Sequence, residues 1–348
     1  MKKIGQNIVI FILLLGIAYF QPVFFPFSTK KVETGQPLTT KTETIASPKR
    51  LKTEGLAQYI GKSSLSLQKA FGLPKKSYAF QGVTWYVYQK GKCTLQVAVQ
   101  NHHITDILAF GDKAPVAPFK IGMSLNDLAP YIDLMTEFQL TSGKKKYTIE
   151  VSEDDLVSTP FIAFENGSEA FLQFDHQGIL QAVYYGDTAQ FLRNMPYRLE
   201  TEEPDKPHLL TDKKGEETHY RLVQQTWQTL LKHHVQLDPT LNQEAKQTLS
   251  DWEEKVQDMD DSTAKSQWQA AFHNQFNSGA IVLPEKQADA LSHQSLLIFG
   301  TRRDVNVELV HQFYDLNAHK IMRHAKNIRI GLAHQGQVWA MVVQETEE

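Results

Sequence analysis

The stretch "YIGKSSLSLQKAF", residues 59–71, contains a pattern that the chain uses twice. The second copy, "KIGMSLNDLAPYI", begins at Lys120. Each copy opens with Ile-Gly-x-Ser and continues with leucines at helical spacing. Ser63 and Ser124 are placed to cap a short helix, because a serine hydroxyl there can accept a hydrogen bond from a backbone N–H of the first turn. The pattern therefore predicts a short helix at the start of each copy.

Apolar, β-rich runs follow each of these helices. "TWYVYQ" and "CTLQVAV" follow the first copy, and "YTIEV", "FIAFE" and "AFLQFD" follow the second. Polar turns such as "QKGK" and "DHQG" separate the runs, and each copy ends in Gly-Asp. The sequence predicts two repeats, at about 59–112 and 120–187, each folding as a helix plus an antiparallel meander. Because apolar and polar positions alternate, each sheet is expected to bury one face.

Length and composition exclude several classes of protein. A chain of 348 residues suggests about two domains. Its 36 basic and 39 acidic residues give a net charge of −3, which is too balanced for a nucleic-acid partner. The one cysteine, Cys93, excludes an intramolecular disulfide and a cysteine-cluster metal site. It lies in "KCTLQVAV", and this alternating apolar run predicts a buried strand thiol.

The N-terminal residues have the features of a membrane anchor. Lys2 and Lys3 precede a charge-free, mostly apolar run from Ile8 to Phe27. A helix of that length spans about 30 Å, the thickness of a hydrocarbon core. Basic residues ahead of it favour a single-pass anchor at 1–27 with the rest of the chain extracytoplasmic. The alternative is cleavage near Gly16-Ile17-Ala18 and secretion.

Two polar stretches divide the rest of the chain. Residues 28–55 are rich in Thr, Lys and Glu and predict a flexible tether, because they cannot bury enough apolar surface to fold. Residues 201–217 predict a linker. The expected domains are therefore 56–200, which contains both repeats, and 218–348.

The C-terminal half combines helical and strand patterns. "YRLVQQTWQTLLKHHV", from Tyr220, places apolar residues on one helical face, and a second amphipathic run starts at Asp238-Pro239. Residues 308–316 repeat the helical pattern. "IRIGLAH" and "VWAMVVQ" read as two paired strands joined by a His-Gln-Gly-Gln turn. Helices packed on strands predict an α+β layered domain.

The Ile-Gly-x-Ser, "TWYVY" and "LQVAVQNHHITDIL" pattern, over roughly 59–199, resembles the CAP-associated N-terminal domain of membrane-anchored or secreted proteins of Gram-positive bacteria. Its usual neighbour is a C-terminal CAP (SCP-like) domain, of the superfamily of cysteine-rich secretory protein, antigen 5 and pathogenesis-related 1. The second half looks like that domain, which implies α-β-α layers. The residues that match in order are Leu237, Asp238, Leu241, Ala245, Glu308, Phe313, Ala318, His319, Ile330 and Gly331.

The resemblance also implies a degenerate cavity. Members of the superfamily gather two histidines and two glutamates, in some cases around a divalent cation. His319 matches the second histidine, and His273 is a looser match to the first. Ser295 and Leu316 stand where the glutamates would be, so no catalytic or metal-binding residue is assigned. Glu308 comes too early for the second glutamate, and we expect it to face solvent or the positive helix N-terminus.

Three functions fit these features. The preferred hypothesis is a non-enzymatic, membrane-anchored module that binds at the cell surface or wall, with a wall polymer, lipid or protein as ligand. The first alternative is a CAP-type hydrolase or metal-assisted peptidase that uses a cavity around His319 and His273. The second is a structural spacer. No cofactor is expected, and a divalent cation such as zinc is the alternative.

Overall fold

The computed structural model describes residues 47–80, 82–132, 135–200, 213–276, 280–282, 294–315 and 327–346. The described residues belong to one compact unit. The predicted anchor at 1–27 lies outside them. Among the residues described, no helix combines the length and the apolar character needed to cross a membrane.

The fold mixes helices and strands, as predicted. The helices are α1 (Ser64–Phe71), α2 (Leu125–Leu128), α3 (Glu153–Ser158), α4 (Thr188–Asn194), α5 (Lys213–Leu231), α6 (Pro239–Gln257), α7 (Ser262–Phe272) and α8 (Val305–Asp315), with a 3-10 helix at Gly55–Tyr59. The strands of the first half are β1 (Arg50–Leu51), β2 (Lys76–Phe80), β3 (Val83–Lys90), β4 (Cys93–Gln100), β5 (His103–Phe110), β6 (Glu137–Ser142), β7 (Lys145–Glu150), β8 (Phe161–Phe164), β9 (Ser168–Phe174), β10 (Leu180–Asp187) and β11 (Arg198–Leu199). Those of the second half are β12 (His234–Leu237), β13 (Ala280–Val282), β14 (Gln294–Thr301), β15 (Asn327–Gln335) and β16 (Val338–Thr346).

Both predicted serine caps are present. The Ser63 hydroxyl accepts a hydrogen bond from the backbone N–H of Leu65 at 3.3 Å and starts α1. Ser124 accepts from the backbone N–H of Asp127, whose carboxylate accepts in return from the N–H of Ser124 at 3.1 Å. This reciprocal capping box fixes the start of α2.

The two repeats share a single sheet. Among the described residues its eight strands run β1-β8-β9-β10-β5-β4-β3-β2. The first repeat supplies β2 to β5 and the second supplies β8 to β10. The antiparallel pair β5–β10 joins them, with Leu108 opposite Tyr184. Within the described chain, three further strands form a small separate sheet in the order β11-β7-β6.

The expectation of one buried face per sheet is wrong for this large sheet. β4, β5 and β9 are buried along almost their whole length, so both faces are covered. One face packs on the 3-10 helix and α1 through residues such as Leu95 and Ile107. The other face packs against helices of the C-terminal half, where Phe110 and Tyr184 share an apolar cluster with Trp227. The reason is that the polar side chains at every second strand position contact polar side chains of a helix instead of water.

Polar side chains on the face of β4 that packs on α5 make this contact. The Gln96 side chain donates to the Thr226 hydroxyl at 2.7 Å, and the hydroxyls of Thr94 and Thr229 lie 3.2 Å apart. Gln96 is 4% exposed and Thr226 is fully buried. A buried polar side chain is tolerated when it is hydrogen-bonded, so these pairs let a polar strand face dock on a helix.

The described C-terminal half has three layers, with a five-stranded sheet of its own between helices α5 and α8 on one face and α6 and α7 on the other. Its described strands run β12-β15-β16-β14-β13, and β15 pairs with β16 in the predicted hairpin, from Asn327 opposite Thr346 to Gln335 opposite Val338. Ile330 and Met341 face α5 and α8, while Ala340 and Val342 face α6 and α7. Helix α5 buries the predicted apolar face, and α6 starts at the predicted Asp238-Pro239 cap. The boundary predicted at 201–217 stays a prediction, because residues 201–212 lie outside the described chain.

Gly331 allows α6 to approach β15 closely. A Cβ at this position would lie 2.1 Å from the backbone carbonyl carbon of Leu241. We expect Gly331→Ala to lower the free energy of unfolding by about 3 kcal/mol, because helix and strand would have to separate. Urea unfolding measures this loss. Gly300→Ala is the matched control, since its Cβ would meet side-chain atoms of Ile281 at 2.9 Å rather than backbone. Equal losses for the two variants would contradict the close approach.

Candidate functional site

Glu308, a cavity candidate, is buried at the junction of the two halves. Helix α8 begins at Val305, so Glu308 lies one turn inside it and its side chain is 0% exposed. Arg303 Nη1 lies 3.2 Å from Glu308 Oε2, and Gln312 Nε2 donates to Oε1. The expectation that Glu308 faces solvent is therefore wrong, whereas the alternative, a place at the helix N-terminus, agrees with its position in the first turn of α8. The physical reason is that a buried cation, supplied by the segment before α8, compensates the carboxylate.

The segment around Glu308 is docked on the N-terminal half. The Arg302 guanidinium donates to the Leu192 carbonyl, and the backbone N–H of Asp304 donates to Asn194 Oδ1 at 2.8 Å. Gln173 Nε2 donates to the carbonyl of Val307 at 3.4 Å. These contacts make Glu308 part of a structural junction, where its carboxylate is closed off from a substrate.

The other cavity candidates do not form a site among the described residues. His319 and Leu316 lie outside them. His273 caps the C-terminus of α7, is exposed, and has Nδ1 2.8 Å from the Gln269 carbonyl oxygen. Ser295 is half-buried on β14, opposite Val343. No group of three or more histidine, cysteine or acidic side chains that could hold a metal occurs in the part of the chain that is described.

A concave pocket of about 620 Å³ lies at the end of the β3–β4 hairpin, on the N-terminal half. The end of α1 and the segment after β5 close its sides. The lining side chains that are apolar or aromatic are Phe71, Leu73, Tyr88, Cys93, Leu95 and Pro115. Gly111 allows the end of β5 to lie close to the hairpin tip, since a Cβ at this position would lie 2.1 Å from the carbonyl oxygen of Lys92. Its φ of +86° also favours glycine.

Tyr88, which lines this pocket, has a buried hydroxyl. The residue is 5% exposed, and its hydroxyl oxygen has no hydrogen-bond partner within the described structure. The ring of Phe71 holds it edge-on, with centroids 6.4 Å apart. Burial, together with the neighbouring Tyr86, raises the pKa of Tyr88 to about 12, so the hydroxyl keeps its proton and can donate.

The same wall contains the thiol of Cys93. Burial raises the pKa of Cys93 to about 11. The thiol is therefore protonated at neutral pH and is a poor nucleophile. The prediction of a buried strand thiol is confirmed.

The rim of the pocket is basic, although the whole chain is slightly acidic. The lining lysines are Lys75, Lys90, Lys92 and Lys113, and among the described residues Asp112 is the one lining carboxylate. Asp112 pairs with Lys92 at 3.3 Å and with Lys232 of the C-terminal half at 3.9 Å. This pocket is not predictable from the sequence, because its lysines come from three separate loops. Lysines at strand ends, as in "QKGK" and "GDK", are the only signal in the sequence.

A second buried carboxylate, Glu169 on β9, predicts a pH dependence of stability. Its side chain is 1% exposed, Arg50 lies 3.7 Å away, and Thr188 donates to it at 2.9 Å. Burial raises the pKa of Glu169 from 4.5 to about 7. The folded state thus holds the proton more tightly than the unfolded chain. The contribution of Glu169 favours folding at low pH, and it is lost as the pH rises from 4.5 to 7.

We expect this loss to be about 3 kcal/mol for wild type between pH 4.5 and pH 8. Glu169→Gln should reduce the slope of unfolding free energy against pH and raise stability at pH 8. The slope is not removed entirely, because burial also raises the pKa of Asp106. Urea melts at pH 5 and pH 8 measure both effects, with exposed Glu165→Gln as the control. A wild-type slope in Glu169→Gln would contradict the prediction.

Comparison with known proteins identifies the N-terminal half. Residues 60–197 match the family model described as CAP-associated N-terminal, so a domain of that family is present, as the residue pattern predicts. The uncharacterized membrane protein YlbC of Bacillus subtilis is 25% identical over 221 residues. The match spans 62% of this chain and 63% of that protein, which is less than two thirds of the relative.

Two solved structures share the fold. One is a cysteine-rich secretory protein from Staphylococcus aureus, with a TM-score of 0.60 and 18% identity over 86% of this chain and 97% of that one. The other is an extracellular protein containing a SCP domain from Bacillus anthracis, with a TM-score of 0.59 and 17% identity over 92% and 100% of the two chains. These likenesses show the SCP-like fold.

Proposed function

We propose that this chain, with its CAP-associated N-terminal domain and SCP-like fold, is a membrane-anchored extracytoplasmic protein that binds a ligand at the cell surface or wall and performs no catalysis on it. The observation that carries the proposal is the pocket beside Tyr88. It combines a buried donor that has no partner among the described residues, an apolar wall and a basic rim. Pockets of this size with a few polar groups are typical small-ligand sites.

The location rests on the N-terminal residues and on the relatives. Lys2 and Lys3 ahead of 8–27 favour an inserted anchor with the remainder outside. One relative is named a membrane protein, and one structural neighbour is named extracellular. Protease added to intact, wall-stripped cells should digest the chain from Tyr59 onward. Full protection of the C-terminal half would contradict this topology.

The contacts of Glu308 support the proposal that the chain performs no catalysis. Its carboxylate is engaged by Arg303 and Gln312, which leaves it unsuited to act as a base or metal ligand. The alternative, a CAP-type hydrolase or metal-assisted peptidase, would use His319 and His273. Zinc titration of residues 45–348 distinguishes the non-catalytic binding protein from the metal-assisted enzyme. We expect weak binding that His319→Ala leaves unchanged, and tight stoichiometric binding abolished by that substitution would support the alternative.

Capture of cell fractions tests the binding function itself. Residues 45–348, immobilised, should retain material from wall or membrane fractions, and Lys90→Glu/Lys92→Glu should reduce the amount retained. Lys145→Glu/Lys146→Glu is the matched control, because it also reverses two lysines beside a hairpin turn but lies on the small sheet. If both double variants retain as much as wild type, the pocket is not the binding site. If wild type retains nothing, the structural-spacer hypothesis is favoured.

A further inference from the structure

The apolar wall of the pocket points to a ligand with a hydrocarbon part. Leu73, one of the lining residues, is 82% exposed and presents its apolar side chain to solvent. Phe71, Leu95 and Pro115 continue the apolar surface inward. A hydrocarbon chain lying on these residues would remove them from water. A purely polar ligand, such as a sugar, would leave Leu73 exposed.

The rim points to an anionic head. Of the residues that the structure describes, four lysines and one carboxylate line the pocket, and that carboxylate, Asp112, is already paired with Lys92 and Lys232. Lys75 donates to Gln89 at 3.0 Å, which keeps its ammonium at the rim. Lysine ammonium groups bind phosphate or carboxylate as point charges. A cationic or neutral head would gain nothing from this excess of positive charge.

Tyr88 lines the same pocket and lies on β3, two residues before Lys90 in the hairpin that also carries Lys92. Its hydroxyl is buried. It is a buried donor that lacks an acceptor in the described chain. A phosphate or carboxylate oxygen would supply that acceptor.

From this arrangement we propose that the pocket binds an anionic amphiphile, with one hydrocarbon chain along Phe71 and Leu73 and a phosphate or carboxylate held by the lysines and the Tyr88 hydroxyl. The inference rests on the proposed function and names the class of its ligand. Such a molecule has two sources at a cell surface, a membrane lipid or a lipid-linked polymer. Both present the same chemistry to the pocket.

Titration of residues 45–348 with dodecyl phosphate, below its critical micelle concentration, tests the ligand class. We expect one saturable site. Dodecyl maltoside, with the same chain and a neutral head, and glycerol phosphate, with the head and no chain, should each bind at least tenfold more weakly. Equal binding of dodecyl maltoside would overturn the role of the charge, and equal binding of glycerol phosphate would overturn the role of the chain.

Substitutions of pocket residues test whether dodecyl phosphate binds in this pocket. Leu73→Ser and Lys90→Glu/Lys92→Glu should each weaken dodecyl phosphate binding at least tenfold, and Tyr88→Phe should weaken it about tenfold, as the loss of one hydrogen bond implies. Leu65→Ser, at a leucine that is 61% exposed, and Lys145→Glu/Lys146→Glu are the matched controls. Near-ultraviolet circular dichroism checks that each variant is folded. Equal binding by pocket and control variants would overturn the proposal.

A comparison with phosphatidylglycerol vesicles and a purified lipid-linked glycerol phosphate polymer separates the two sources. Binding of either supports the class, and the tighter one identifies the source. If pocket variants lose capture of cell fractions while dodecyl phosphate does not bind wild type, the ligand class is wrong and the proposed binding function stands. If cell fractions are not captured at all, the proposed function itself fails.

Discussion

Replacing Arg303 by methionine is expected to lower the free energy of unfolding by about 3–5 kcal/mol, the usual cost of leaving a buried charge without its partner. The Arg303 side chain is 4% exposed and that of Glu308 is 0% exposed, so water cannot replace the lost cation. Equilibrium urea unfolding of residues 45–348, followed by tryptophan fluorescence, measures the change.

Arg221→Met is the control for this effect. Arg221 pairs with Glu217 one helical turn away, but their side chains are 54% and 60% exposed, and such a pair contributes at most about 0.5 kcal/mol. The double variant Arg303→Met/Glu308→Leu should recover most of the loss, because neither charge then remains buried. A loss in Arg303→Met no larger than in Arg221→Met would show that Glu308 is hydrated in solution.

Trp227→Ala is expected to cost about 3–5 kcal/mol, the range for removing a large aromatic side chain from a core. Trp227 is 1% exposed and contacts Phe313 edge-on, with centroids 5.9 Å apart. It belongs to the apolar cluster that also contains Phe110 and Tyr184 of the first half. Removing the Trp227 side chain should therefore lower the unfolding temperature of both halves together.

Scanning calorimetry measures this shift. Wild type and Trp227→Ala should each show one transition, with the variant at the lower temperature. Trp252→Ala, which removes a partly buried tryptophan from a cluster confined to the C-terminal half, should cost less. Two transitions, of which Trp227→Ala moves only one, would show that the halves unfold independently.

Local features of this fold were predictable from the sequence. The caps at Ser63 and Ser124 and the β15–β16 hairpin depend on residues close together in the chain, and all three are present. The second buried face of the large sheet was not predictable. Gln96 and its alternate neighbours look like a solvent face, because their polar partner Thr226 comes 130 positions later.

The candidate site was predictable only in part. The family resemblance of residues 60–197 was correct. The burial of Glu308 was not, because it depends on the docking of residues 302–307 on the N-terminal half through Leu192 and Asn194, which come about 110 positions earlier. The pocket depends on loops that are far apart in sequence, and no local pattern links them.

The covering of the large sheet by later helices affects how the chain folds as it is made. Synthesis completes β10 at Asp187, but α8, which covers part of the sheet, starts at Val305, 118 positions later. At about 5–20 residues per second that delay is roughly 6–24 s. During this interval the part of β9 and β10 that α8 contacts lacks this cover, so we expect the nascent N-terminal half to expose apolar surface.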